Sequence, residues 1–108
     1  MSELSIADFK KSDLRVAKIL EAEEIPGADR IWKLQLDLGA EKKQVVAGIK
    51  LFYPREKLIG KSVIVVSNLT PSVIRGVESS GMLLAAKHET RLTLLTLDEE
   101  LPPGSTVG

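Results

Sequence analysis

The eight residues IWKLQLDL, Ile31 to Leu38, leave little choice of secondary structure. Trp32, Leu34, Leu36 and Leu38 alternate with Lys33, Gln35 and Asp37, which is the period of an extended strand and not of a helix. One face must be buried and the other wetted. A half-buried strand also needs neighbours for its backbone, and the flanking sequence offers them. LRVAKILEAEEI, Leu14 to Ile25, is β-branched and predicts a long strand, with a bulge where strict alternation fails and a break at Pro26-Gly27. On the other side, GAEKK predicts a turn into KQVVAGI, Lys43 to Ile49, which completes a hairpin.

The rest of the chain continues in short strands. YPREKL puts Pro54 at the first position of a one-turn helix, where its missing N–H costs nothing, and Gly60 ends it. KSVIVVSNL is the most apolar run and predicts a strand covered on both faces. GMLLAA and RLTLLTL predict two more strands around the turn KHET, before the acidic DEE and a terminal LPPGSTVG. At the other end, SIADFKKSD predicts a short helix capped by Ser5, with Asp8 as its capping-box partner. Such a pattern predicts an all-β fold, and a closed barrel removes exposed strand edges. The expected architecture is a five-stranded oligonucleotide/oligosaccharide-binding barrel with a short helix between the third and fourth strands. Residues 1–13 form the N-terminal helix and lead-in, and residues 93–108 a C-terminal extension, a candidate dimer contact. A β-sandwich has no use for a helix at that place and wants more regular turn signals.

With 108 residues there is room for one domain and one core. Cysteine is absent, which excludes disulfides and thiolate zinc sites and suits a reducing compartment. No apolar run reaches the ~18 residues of a membrane span, and MSELSIADFKKSD lacks the pattern of a signal peptide, so a cytoplasmic protein without membrane contact is expected. Fifteen basic residues balance fifteen acidic ones, so any nucleic-acid role must rest on how charge is distributed.

Catalysis finds no support. The single histidine, His88, lies in a turn with no nucleophile or convergent carboxylates, and the pairs Glu23-Glu24 and Glu99-Glu100 point to opposite faces of a strand. No phosphate-binding glycine loop is present. We expect a non-enzyme with no cofactor and no metal.

Asn68 to Ala86, NLTPSVIRGVESSGMLLAA, is the unusual segment: a long, semi-polar crossing between apolar strands. Gly76 and Gly81 permit positive φ or a close approach, Ser79 and Ser80 bring hydroxyls, Arg75 a guanidinium and Met82 an adaptable apolar contact. These residues can form a binding rim, or simply two turns, a barrel plug and a polar loop. Lys33 and Lys43, on adjacent strands, can both face out to track a phosphate backbone or stand as solvated surface charges. Aromatic platforms are scarce, and Trp32 falls on the apolar face, so a nucleic acid is expected to be read by shape.

DLRVAKI, ADRIWKLQLDLG, VVAGI, GKSVIVVSNLTP and IRGVESSGMLLAA, in this order and spacing, resemble the dimeric tRNA-binding domain at the C-terminus of methionyl-tRNA synthetases, also found as free-standing proteins. The resemblance runs from about Phe9 to the end. It implies the oligonucleotide-binding barrel, shape-directed tRNA binding, a homodimer, and partnership with a methionyl-tRNA synthetase catalytic chain. Carried over residue by residue, the RNA-binding set is Lys33, Lys43, Asn68, Arg75, Ser79 and Met82. Two positions depart from the family pattern: Ala47 where serine is frequent, and Ile25 where histidine is frequent. Two rival readings are a protein-binding chaperone built on the same barrel and a module for dimerisation alone.

Overall fold

The computed structural model describes residues 2–108. Its main sheet is built on one long strand, β1 (Leu14–Glu24), whose length comes from the run of β-branched residues and whose bend comes from a register shift between Ile19 and Glu21. The bulge changes which residues point inward: Ala17 and Ile19 before it, Ala22 after it. That bend lets one strand serve two sides of a barrel.

β2 (Trp32–Asp37) pairs antiparallel with the second half of β1 and with β3 (Lys42–Ala47). Its alternation is the expected one, with Trp32, Leu34 and Leu36 buried and Lys33, Gln35 and Asp37 half-buried on the outside. Leu34 and Leu36 are fully enclosed, and truncating either to alanine costs about 2–5 kcal/mol in sites of this kind. After β3 the one-turn helix α2 (Arg55–Leu58) plugs the barrel with Leu58; Pro54 sits one position earlier than expected, as the extended N-cap.

β4 (Ser62–Val66) is buried at every residue, as its composition predicted, and pairs with the first half of β1. Beyond it the chain differs from the expected open crossing. Ser72–Ile74 (β5) and Val77–Ser79 (β6) form a small hairpin, then β7 (Met82–Leu83) pairs with β4. The sheet order is β3-β2-β1-β4-β7, so the barrel closes between β3 and the β6–β7 region. Closure uses few main-chain bonds: Ser80 N–H donates to Gln44 C=O at 2.8 Å, and side chains complete the seam. Gly81 is required there, because a Cβ would lie 2.9 Å from the Val66 carbonyl oxygen and 3.1 Å from Val65 Cγ2.

A second hairpin, β8 (Ala85–His88) with β9 (Arg91–Leu94), stands out from the barrel, and Leu94 anchors it in the core. His88 is the last residue of β8, not a turn residue; the turn is Glu89-Thr90. The C-terminal segment then folds back on its own chain. β10 (Thr106–Val107) pairs with Leu14 and Arg15, and Gly104 N–H donates to Val16 C=O at 2.7 Å. Val16 and Ile64, paired on the outer face of β1 and β4, are buried as well. By contrast the N-terminal helix α1 (Ile6–Phe9), capped by Ser5 as expected, buries none of its residues.

Candidate nucleic-acid interface

Two loops meet at one end of the β2–β3 surface, and each is held by a defined turn. In Ile25–Ala28 the Ala28 N–H donates to Ile25 C=O at 3.0 Å and Gly27 has φ +80°, a type II turn with Pro26 and Gly27 at its centre. Ile25 and Ala28 are both buried, so the turn is pinned and the following Asp29 and Arg30 are exposed. The facing element is the β5–β6 hairpin. Its two-residue turn, Arg75-Gly76, has φ of +53° and +79°, the type I′ geometry that matches strand twist. Arg75 is therefore displayed at a hairpin tip, and with Gly27 to Ile31 it lines a shallow cleft.

The six residues singled out from the sequence divide into two groups. Lys33, Arg75 and Met82 reach the surface. Lys33 faces outward from β2 with its ammonium 3.6 Å from Glu23, a partly exposed pair that screening weakens. Met82 is half exposed at the start of β7.

Lys43, Asn68 and Ser79 are tied into the fold, although Asn68 is also exposed. Lys43 pairs with Leu36 across the hairpin and so has the inward parity of Val45 and Ala47, not the outward one expected beside Lys33. Its ammonium caps the barrel mouth, donating to Ser67 C=O at 2.8 Å and Ser80 C=O at 3.4 Å. Asn68 bridges the lead-in: Asp13 N–H donates to its Oδ1 at 2.9 Å, and its Nδ2 donates to Lys11 C=O at 2.6 Å. Ser79 is 4 % exposed; its Oγ accepts from Val46 N–H at 2.9 Å and donates to Gly81 C=O at 3.2 Å. That hydroxyl replaces a main-chain bond at the barrel seam.

Asp29 and Arg30 were not singled out from the sequence, because charged residues after a Pro-Gly turn are ordinary loop composition. Only the facing hairpin gives them significance. Near the seam, the Arg15 guanidinium, bonded at 2.7 Å, and the Ser67 hydroxyl, at 2.9 Å, hold the Asp13 carboxyl below the usual carboxylate value. Trp32 is enclosed: its indole N–H donates to Tyr53 C=O at 2.9 Å and Lys50 lies 5.1 Å from the ring centroid. It is a core residue and not a stacking platform. Among the described residues no cluster of three or more His, Cys, Asp or Glu could hold a metal ion, and no helix is long and apolar enough to cross a membrane.

A family model described as "Putative tRNA binding domain" matches residues 14–106, which is the whole barrel from β1 to β10. The chain belongs to that family. It is a non-catalytic domain. Sequence relatives include a methionine–tRNA ligase of Thermotoga maritima, 52 % identical over 96 % of this chain, and one of Methanococcus aeolicus, 51 % identical over 99 %. This tRNA-binding domain spans only 16 % of the length of either ligase. Among solved structures, a MetRS-related protein from Pyrococcus horikoshii superposes with a TM-score of 0.94 at 37 % identity, over the full length of both chains. The chaperone CsaA of Bacillus anthracis does so with a TM-score of 0.90 at 31 % identity, covering 99 % of this chain and all of that one.

Proposed function

We propose that this chain is a tRNA-binding module that reads folded tRNA by shape, acts as a homodimer in the cytoplasm and raises the tRNA affinity of a methionyl-tRNA synthetase. Family membership across the whole barrel carries this reading. Lys33, Arg75 and Met82 are the proposed contacts of the six; Lys43, Asn68 and Ser79 belong to the RNA-binding surface as its frame. Zero net charge and a scarcity of free aromatics favour modest affinity, suited to a domain that assists a catalytic partner.

Support for the dimer comes from α1. A four-residue helix is not stable alone, yet Leu4 and Ile6 are 67 % and 69 % exposed, and Phe9 and Leu69 are exposed too. A second copy of the same surface is the simplest cover, since most oligomers of this size are twofold.

Binding of purified protein to total tRNA, against linear single-stranded RNA of equal length across a salt series, tests the RNA reading. Preference for folded tRNA with affinity falling as salt rises is expected; equal or absent binding to both refutes it. Sedimentation as a monomer at micromolar concentration removes the dimer. A second reading, polypeptide binding, draws on the exposed Val73, Ile74 and Met82 around the hairpin. Peptide that displaces tRNA competitively at equal or lower concentration reverses the order of the two.

A further inference from the structure

The cleft between the Gly27–Ile31 loop and Arg75 carries a mixture of charges that attraction to phosphate does not explain. Two guanidinium groups, Arg30 and Arg75, line it together with one carboxylate, Asp29. Elsewhere, among the described residues, seven of the fifteen lysines and arginines lie within ion-pair distance of an acid. Among the described residues none of these pairs includes Asp29, Arg30 or Arg75; other cations such as Lys57 and Lys87 are unpaired too, but these three charges line one cleft together. The walls are pre-organised, by the pinned type II turn, by Lys50 N–H donating to Arg30 C=O at 3.2 Å, and by the type I′ turn opposite. Arginine at φ +53° is also an expensive choice where glycine or asparagine fits the turn. Its side chain has to be wanted at that tip.

Resting on the RNA-binding reading above, we propose that this cleft takes one ribose-phosphate unit of an RNA backbone. Arg30 and Arg75 hold the phosphate from two sides, and the Asp29 carboxylate accepts a hydrogen bond from the ribose 2′-hydroxyl. A carboxylate beside a polyanion is repulsive unless it meets a donor, and the 2′-hydroxyl is the donor that recurs next to every backbone phosphate. DNA lacks it. On DNA, Asp29 is an unpaired negative charge facing phosphates, so this residue makes the domain distinguish RNA from DNA.

The test compares total tRNA, a single-stranded RNA and the 2′-deoxy oligonucleotide of the same sequence, using wild type, Asp29→Ala, Arg30→Ala and Arg75→Ala. Unchanged melting temperatures establish that these exposed substitutions leave the fold intact. Wild type is expected to prefer RNA over its deoxy counterpart by roughly tenfold or more, the scale of one charge-assisted hydrogen bond. Asp29→Ala is expected to collapse that ratio by weakening RNA while strengthening DNA. Arg30→Ala and Arg75→Ala are expected to weaken both ligands alike and to lower the salt slope by about 0.7 each for single strands. If wild type binds tRNA but Asp29→Ala leaves the RNA-to-DNA ratio unchanged, or strengthens both ligands equally, the 2′-hydroxyl assignment is wrong and the RNA-binding reading stands. If wild type binds neither tRNA nor RNA, both fall.

Discussion

Replacing Ser79 by alanine separates two roles that the sequence alone cannot tell apart. The hydroxyl is enclosed at the seam between β3 and β6, where it accepts from Val46 N–H and donates to Gly81 C=O. Alanine fits the space but leaves both main-chain groups without that partner. A buried donor or acceptor left unsatisfied costs about 1–3 kcal/mol, and the weaker 3.2 Å bond to Gly81 adds little to the penalty of orphaning Val46. For a chain of this length the unfolding entropy is about 0.2 kcal/mol/K, so each kcal/mol lowers the melting temperature by about 4 °C. We expect a fall of roughly 4–13 °C. Thermal unfolding followed by circular dichroism, at fixed protein concentration, measures it. Amide exchange at Val46 gives a local check, with protection falling more than at Leu34. An unchanged melting temperature with Val46 still protected refutes the seam argument. The same result with tRNA affinity reduced means that Ser79 faces RNA instead.

Arg75→Asn keeps the type I′ turn and removes the charge, so stability is expected to rise by up to about 1 kcal/mol while the salt slope of tRNA binding drops by about one. Unaltered affinity and slope dismiss Arg75 as a phosphate contact. Gly81→Ala forces a Cβ against the Val66 carbonyl and is expected to cost about 1–3 kcal/mol in urea unfolding; a neutral outcome means that the seam gives way more easily than its geometry suggests. For Asp13 the folded carboxyl holds its proton less tightly than the unfolded one, whose ordinary value is 3.8, because Arg15 and Ser67 favour the charged form. Its contribution is therefore present above about pH 4 and disappears as pH falls through the folded value. The stability gap between wild type and Asp13→Asn should narrow below that pH, and a gap of constant size from about pH 6 to about pH 2 contradicts the linkage.

Much of the fold was legible because its strongest signals are local. The alternation of Trp32 to Leu38, the broken alternation within Leu14 to Ile25 and the unbroken apolar run of β4 each report burial directly, and the structure has the strand pairing, bulge and two-sided cover they imply. The β5–β6 hairpin is silent in the sequence for a physical reason. Each strand is three residues long, too short for a periodic signal, and its turn carries arginine where Asn-Gly is the usual mark. The inward direction of Lys43 is hidden in the sequence because a long side chain at an inward position can run to the barrel mouth and hold its charge on carbonyls there. The partners of Asn68 lie 55 and 57 residues away in the chain and the Val46 amide that Ser79 accepts from lies 33 away, and no local pattern encodes a contact at such separations. The C-terminal PPGSTV reads as a tail, since two residues of pairing at its end leave no trace in composition.

That tail has a consequence for how the molecule is made. Within this domain β1 precedes all its sheet partners in the chain, yet part of its ladder is completed by Thr106 and Val107, and the Val16 amide and carbonyl are bonded only when Ser105 and Gly104 arrive. A chain emerging from the ribosome at about 5–20 residues per second can pair β1 with β2, and later with β4, before those residues exist. Throughout that interval the outer edge of β1 beside Leu14 and Arg15 is an unpaired template, the kind of edge that recruits other nascent strands. A chain cut before Gly104 would leave that edge open for good. A shortened chain should therefore fail through aggregation during synthesis more than through any loss of core.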